Sequence, residues 1–256
     1  MLIYTLLFTC VGQNPEDNYY IPMFGKWLAH LIYHGGLDGS DSVIVLIDDI
    51  TFGFLEGDKN LWKIIAGLSF PLQFHKMYQP FSIIEGICEK YLRASEICSR
   101  STTNLYLDLR ILVLKPLKSL YSSLEYSSMK DSLLVQGDNS NFHHIDYGGS
   151  LIKTDYNLCG LTSGVFAFII NSEVLQFFDF VVKGCLECSA ICLADPLICL
   201  ADQSYFNKYV YLAFRETTIL SLGIQIISDT SNFRQQELVL PPPPQEQEQE
   251  QEGQSA

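Results

Sequence analysis

Thr103–Leu117 reads TNLYLDLRILVLKPL. Its first half is an apolar, aromatic run of the kind that forms a strand covered on both faces, and it ends on a carboxylate, Asp108. A second apolar run, Ile111 to Leu114, then leads into Lys115-Pro116-Leu117. An acidic residue at the tip of a buried strand is well placed for chemistry, because open α/β sheets bind ligands beyond the carboxyl ends of their strands. Two residues further on, where a second carboxylate would complete a clamp for a divalent cation, stands Arg110. A guanidinium has five donors and no acceptor, so it cannot ligate a cation.

Outward from this stretch, apolar runs alternate with segments of helical spacing. LIYTLLFT (2–9), SVIVLIDD (42–49) and SGVFAFII (163–170) read as buried strands, the second ending in two carboxylates, Asp48 and Asp49. YIPMFGKWLAHLIYH (20–34) spaces Met23, Trp27, Leu31 and His34 along a helix, and GGLDGSD stops it. FSIIEGICEKYLRASEIC (81–98) is a helix with Ile84, Cys88 and Tyr91 on one side, and SEVLQFFDFVV and QSYFNKYVYLAF are two more. Strands alternating with helices predict an α/β fold, a mixed and mainly parallel sheet flanked by helices.

The 256 residues, 48% hydrophobic and 18% charged, suffice for a sizeable core. The net charge of -13 and the absence of any Lys/Arg cluster argue against nucleic acid or an anionic membrane as partner. No apolar stretch reaches the roughly 18 residues of a membrane span. MLIYTLLFTC lacks a basic leader and a small-residue cleavage site, so it is expected to be a buried strand. Eight unevenly spread cysteines suggest reduced thiols and a cytoplasmic or otherwise intracellular setting. PPPPQEQEQEQEGQSA (241–256) has no apolar residue before its last and is expected to be disordered. The folded domain is therefore placed at 1–240. ICLAD occurs at 191–195 and again at 198–202, with Pro196 between the copies predicting a kink. No phosphate loop, dinucleotide fingerprint or nucleophile elbow is present, which sets aside the enzyme classes built on them.

Tyr106-Leu107-Asp108, followed by an apolar run and Lys115-Pro116-Leu117, resembles the hallmark strand of GT-A fold nucleotide-sugar glycosyltransferases, glycosyltransferase family 8 in particular, with Asp-Leu-Arg where that family has Asp-x-Asp. Two further segments arrive in the family's order. Thr162-Ser163-Gly164-Val165 is similar to the family's Asn-Ser-Gly-Val, and Asp202-Gln203 with Asn207 to the Asp-Gln motif that opens the next helix. Thr9 with Asn18-Tyr19-Tyr20 resembles the nucleotide-contacting start. The resemblance implies a glycosyltransferase that moves a sugar from a nucleoside-diphosphate donor, UDP-sugar above all, to a hydroxyl acceptor on a glycan or protein, with retention at the anomeric carbon. It implies that Asp202 and Gln203 act at the donor sugar, and that Thr9, Tyr19, Asp108, Arg110, Ser163 and Gly164 hold the donor, with Asp108 also the ligand of Mn²⁺ or Mg²⁺.

Two departures keep an alternative open. Arg110 removes one metal ligand, so either it grips the diphosphate itself or the chain is a catalytically inactive nucleotide-sugar-binding or interaction module. The family's late His-x-x-Gly-x-x-Lys segment has no counterpart after His144, which leaves Lys153, Lys208 or Arg234 as substitute cations. Asp48, Asp49 or Asp202 would have to help Asp108 hold a metal. Cys185, Cys188, Cys192 and Cys199 match no structural zinc spacing well and read as core packing. His30 and His34 lack the neighbouring Glu of a zinc protease and read as a surface or half-buried pair, and His143-His144 as a loop, with acceptor binding as the alternative.

Overall fold

The computed structural model describes residues 1–118, 131–141, 143–145, 151–153, 159–192, 201–215, 223–227, 231 and 233–235. Leu2–Leu7 forms β1, buried at every position. Parallel neighbours flank it, β2 (Ser42–Asp48) on one side and β4 (Asn104–Leu107) on the other, and β3 (Leu72–Met77) adds beyond β2. Past β4 the direction reverses. β9 (Cys159–Phe168) runs antiparallel to both β4 and β6 (Asp131–Asn141), and β10 (Gly223–Ile227) pairs in parallel with β6. The seven-stranded sheet is thus mixed and mainly parallel, as the alternation of strands and helices predicts. Its one reversal matters for function: the register pairs Leu107 with Val165, which sets Ser163 and Gly164 beside the carboxyl end of β4.

Successive side chains of a strand point to opposite faces, and here both faces are covered. Ile3, Leu7, Leu105 and Leu107 pack against α1 (Tyr20–His34), α2 (Asp49–Glu56) and α3 (Lys59–Ala66), with Trp27 fully buried among them. Tyr4, Leu6, Tyr106 and Phe166 face α4 (Ile83–Leu92), α5 (Ala94–Ile97), α6 (Ser172–Cys192) and α7 (Ala201–Arg215). On that side Tyr91, Tyr106, Phe166, Phe178 and Phe206 form a connected aromatic cluster, the Tyr106–Phe166 and Phe166–Phe206 centroids standing 5.2 and 5.3 Å apart.

Several details differ from the sequence reading. Met23, Trp27 and Leu31 are buried, but His34 is exposed at the end of α1. His30 is half-buried, its Nδ1 3.0 Å from the Val113 carbonyl, and so ties α1 to β5 (Ile111–Val113), which pairs with β11 (Phe233–Gln235). His143–Ile145 is a strand (β7) paired antiparallel with β8 (Leu151–Lys153) and not a loop. The single helix expected over 81–98 is two, meeting at Arg93. Cys185 is buried in the core as expected, whereas the side chains of Cys188 and Cys192, Cys199, the centre of the ICLAD duplication, the boundary near Leu240 and the tail lie outside the described residues. Among the described residues no helix is long and apolar enough to cross a membrane.

Candidate active site

β1 and β4 end side by side, and beyond their carboxyl ends opens a cavity of about 400 Å³. The segment after β1, from Phe8 to Tyr20, forms one wall with Gln13, Asn14, Asp17, Asn18 and Tyr19. Asn18 fixes this wall: its Nδ2 donates to the Phe8 carbonyl at 2.8 Å and to Thr9 Oγ1 at 2.9 Å, while its Oδ1 accepts the Tyr20 amide at 3.0 Å. Ile83, Ile87 and Lys90 of α4 make a second wall, and Tyr106, Asp108, Leu109 and Arg110 the floor. Ser163 from β9 and Asp202 from α7 close the far side.

At the tip of β4 the chain turns sharply. The Asp108 amide donates to the Gly164 carbonyl at 2.8 Å and the Ile111 amide to the Asp108 carbonyl at 2.9 Å. The carboxylate folds back on the same turn, Oδ1 accepting the Arg110 amide at 2.8 Å and Arg110 Nε at 3.1 Å. Asp108 is 18% exposed at its side chain and Arg110 31%, so the pair faces the cavity without being freely solvated. The Asp108 carboxylate, against the cost of burial, holds the guanidinium firmly charged. A Cβ on Gly164 would stand 3.3 Å from the Asp108 Cβ and 3.2 Å from Thr162 Oγ1, so the glycine is what lets β9 pass this close to the turn.

Deeper in lies a second ion pair, Lys90 Nζ to Asp202 Oδ2 at 2.7 Å, with side chains only 3% and 11% exposed. Lys90 Nζ also donates to the Ser163 carbonyl at 3.0 Å and stands 4.7 Å from the Tyr106 ring centroid and 5.0 Å from that of Tyr91. Buried charge survives only when paired and hydrogen-bonded, and this lysine has a carboxylate, a carbonyl and two ring faces. Burial pushes the Asp202 carboxyl up, but the Lys90 ammonium, its hydrogen bond and one from Ser163 outweigh it, so the group is held below the ordinary carboxylate range. Burial likewise keeps the Tyr91 and Tyr106 phenols protonated, and Tyr91 OH donates to Asp202 at 3.3 Å.

Tyr19, Asp108, Arg110, Ser163 and Asp202 therefore meet in one cavity. Thr9, Gly164 and Gln203 do not line it. Thr9 is fully buried, its amide donating to Asp48 Oδ2 at 2.9 Å and its hydroxyl oxygen accepting from Asn18 and standing 2.8 Å from Thr51 Oγ1. Gln203 is half-buried, and its carbonyl accepts Asn207 Nδ2 at 2.7 Å. The same Asn207 amide group bridges the Leu161 backbone at 2.7 and 2.8 Å, stitching α7 to β9. Lys208 and Arg234 stand outside the cavity, and Lys153 is described by its backbone alone. Among the cavity residues that motif reading did not find, Lys90 is the buried cation.

The carboxylates offered as co-ligands are occupied elsewhere. Asp48 is fully buried and accepts four hydrogen bonds as the N-cap of α2. Asp49 is exposed and pairs with Lys76 at 2.6 Å. Among the described residues no three of His, Cys, Asp and Glu stand close enough together to share a metal ion.

No family profile matches the sequence, and no curated protein is similar to it in sequence. Solved structures are similar in fold. Mouse xyloside xylosyltransferase 1 in its apo form superimposes with a TM-score of 0.51 at 8% identity, over 88% of this chain and 84% of that one. The apo structure of the bifunctional glycosyltransferase WbbM gives 0.51 at 12% identity, over 88% of this chain and 38% of its own. The chain has a GT-A-like fold. At such identities the likeness concerns the path of the backbone.

Proposed function

We propose that this chain is a glycosyltransferase that takes a sugar from a nucleoside-diphosphate donor, UDP-sugar first, to a hydroxyl on a glycan or protein. One observation carries the reading: Asp108, Ser163 and Asp202, from three distant segments, converge with Arg110 and Lys90 on a cavity at the carboxyl ends of the central strands. In such a transfer the bond from the anomeric carbon to the diphosphate oxygen breaks and its electron pair leaves with the phosphate. The acceptor oxygen bonds to that carbon, and its proton passes to the departing phosphate oxygen. The charge that builds on the leaving group must be met by groups already in place, and Arg110 and Lys90 are the cations at hand. Asp202, kept ionised by Lys90, suits the positive charge that grows on the sugar ring. Tyr19 would face the nucleotide and Ser163 the sugar, with Thr9, Gly164 and Gln203 acting on the shape of the site through their neighbours. The cysteines whose side chains are described, 10, 88, 98 and 185, are free thiols, which fits an intracellular setting.

The test is UDP release from UDP-glucose, UDP-galactose and UDP-xylose, together with calorimetric titration of UDP, CDP, GDP and ADP. The expected result is donor turnover that Asp202→Asn lowers about 100-fold or more, in the range lost with one preorganised group of a transition state. Binding of none of the four nucleotides at millimolar concentration ends the reading. Arg110 in place of a carboxylate favours a second reading, an inactive module that binds nucleotide sugar. Tight binding with no turnover, unchanged in Asp202→Asn, selects it.

A further inference from the structure

We infer that this site binds the diphosphate of its donor without a divalent cation, Arg110 standing in the cation's place; the inference rests on the glycosyltransferase reading. Mg²⁺ takes a near-octahedral shell of oxygens in which the protein usually supplies one or two carboxylates and waters and substrate phosphates the rest, and Mn²⁺ shares the preference for oxygen. The cavity offers three carboxylates. Asp108 Oδ1 is already engaged by two Arg110 nitrogens, at 2.8 and 3.1 Å. Asp202 Oδ2 is taken by Lys90 at 2.7 Å and Tyr91 at 3.3 Å. Asp17 is exposed on the opposite wall. A cation on the remaining oxygen of Asp108 would lie beside a fixed guanidinium and repel it.

The same geometry suits a phosphate anion. Arg110 spends only Nε and its backbone amide on Asp108, and its two terminal nitrogens have no partner among the described residues. Asp108 thus acts as the brace that orients the guanidinium, while the outer edge stays free for a bidentate grip on phosphate oxygens. Lys90 lies in the same cavity as a second positive charge, itself held by Asp202. The two cations come from different elements, α4 and the turn after β4. Lys90 is already engaged by Asp202 and the Ser163 carbonyl, so it supports the site as a nearby charge and Arg110 is the cation left to grip the diphosphate.

The experiment is titration of UDP, CDP, GDP and ADP into the full chain, once in EDTA and once in excess Mn²⁺, for the native protein, Arg110→Ala and Arg110→Asp, with the corresponding nucleoside monophosphate as a control. Native binding should change less than about twofold between EDTA and Mn²⁺. Arg110→Ala should weaken the diphosphate by ~10- to 100-fold, the loss expected of a charge-assisted hydrogen-bonded pair, and the monophosphate much less. Arg110→Asp, with two carboxylates on the turn, should bind more tightly in Mn²⁺ than in EDTA, and the spectrum of bound Mn²⁺ reports this directly. Native binding that vanishes in EDTA overturns the inference and leaves the glycosyltransferase reading intact. Equal binding by native protein and Arg110→Ala also overturns it. Failure of every nucleotide in both conditions overturns both. Circular dichroism of the variants separates loss of the grip from loss of the fold.

Discussion

Lys90 and Asp202 show how a single buried residue pair sets the stability and the charge of its surroundings. A buried ion pair contributes little net stability, yet removing one partner strands the other, at a cost of about 3–5 kcal/mol. Lys90→Met should therefore destabilise the chain by that amount in urea unfolding, and adding Asp202→Asn should recover part of the loss. The pH dependence separates the two partners. In the native chain the Asp202 carboxyl is held below its unfolded value of about 3.9. Its stabilising share is thus present above pH ~4 and is lost as pH falls through the lower folded value. In Lys90→Met both Lys90 contributions go, and burial, the largest of the influences on Asp202, is opposed only by the Ser163 hydrogen bond and the Arg110 charge, so the carboxyl is expected to rise above its unfolded value and reverse the slope. That variant should gain stability, relative to the native chain, as pH falls from 7 toward 4. Unfolding midpoints of native protein, Lys90→Met and Asp202→Asn at pH 7, 5.5 and 4 decide it. Parallel curves for all three would mean that the pair titrates no differently from the rest of the chain.

Between elements, close approach is paid for in glycine. Gly184 lies where α6 meets α7, and a Cβ there would run into the Tyr205 ring, whose Cγ is 2.8 Å away. The Cγ stands one bond beyond the Tyr205 Cβ, so relieving the overlap takes a change of side-chain rotamer within a packed contact or a shift of α7. Gly184→Ala gains about 1 kcal/mol of helix propensity but overpacks a buried contact, at about 1–3 kcal/mol. The expected net is a melting temperature lower by a few degrees, at about 2–4 °C per kcal/mol for a chain of this size; an unchanged or higher value would show that the helices can part freely. The same dependence on partners explains what the sequence made legible. β1, β2 and β4 were readable because burial on both faces imposes an unbroken apolar run. β3, LQFHKM, is an edge strand, half exposed, and has no such run. β6 extends into the polar residues Gly137 to Asn141, which pair with β9 and look like a loop when read alone. Asp108, Ser163 and Asp202 were legible as motifs. Lys90 was not, because the carboxylate that makes its burial tolerable lies 112 residues further on. Asp48 looked like a ligand at a strand end, although a carboxylate there can equally cap the following helix, as it does here.

At the scale of the whole molecule, the sheet is most secure where both cores meet it and least secure at its margin. β1, β4 and β9 are sealed between the two helical layers, whereas β3 sits at the edge with Gln73 and Lys76 exposed, and α3 buries only Leu61. Amides that open only on global unfolding should therefore lie in β1, β4 and the Leu161–Phe168 part of β9, and those of α3 and β3 should exchange through smaller openings. Ligand then adds a second pattern. A nucleotide that binds only the folded chain stabilises it by RT ln(1 + [L]/Kd). Openings that spill the cavity walls are suppressed by that amount, while openings confined to the margin are not. Saturating UDP should therefore slow exchange in the first turns of α1 after Tyr19 and in α4 around Lys90, and leave α3 and β3 unchanged. Hydrogen exchange by mass spectrometry, with and without UDP, reads both patterns at once. Protection appearing at β3 and α3 but not at α4 would locate the ligand at the β3 margin, away from the cavity, and remove the cavity from consideration.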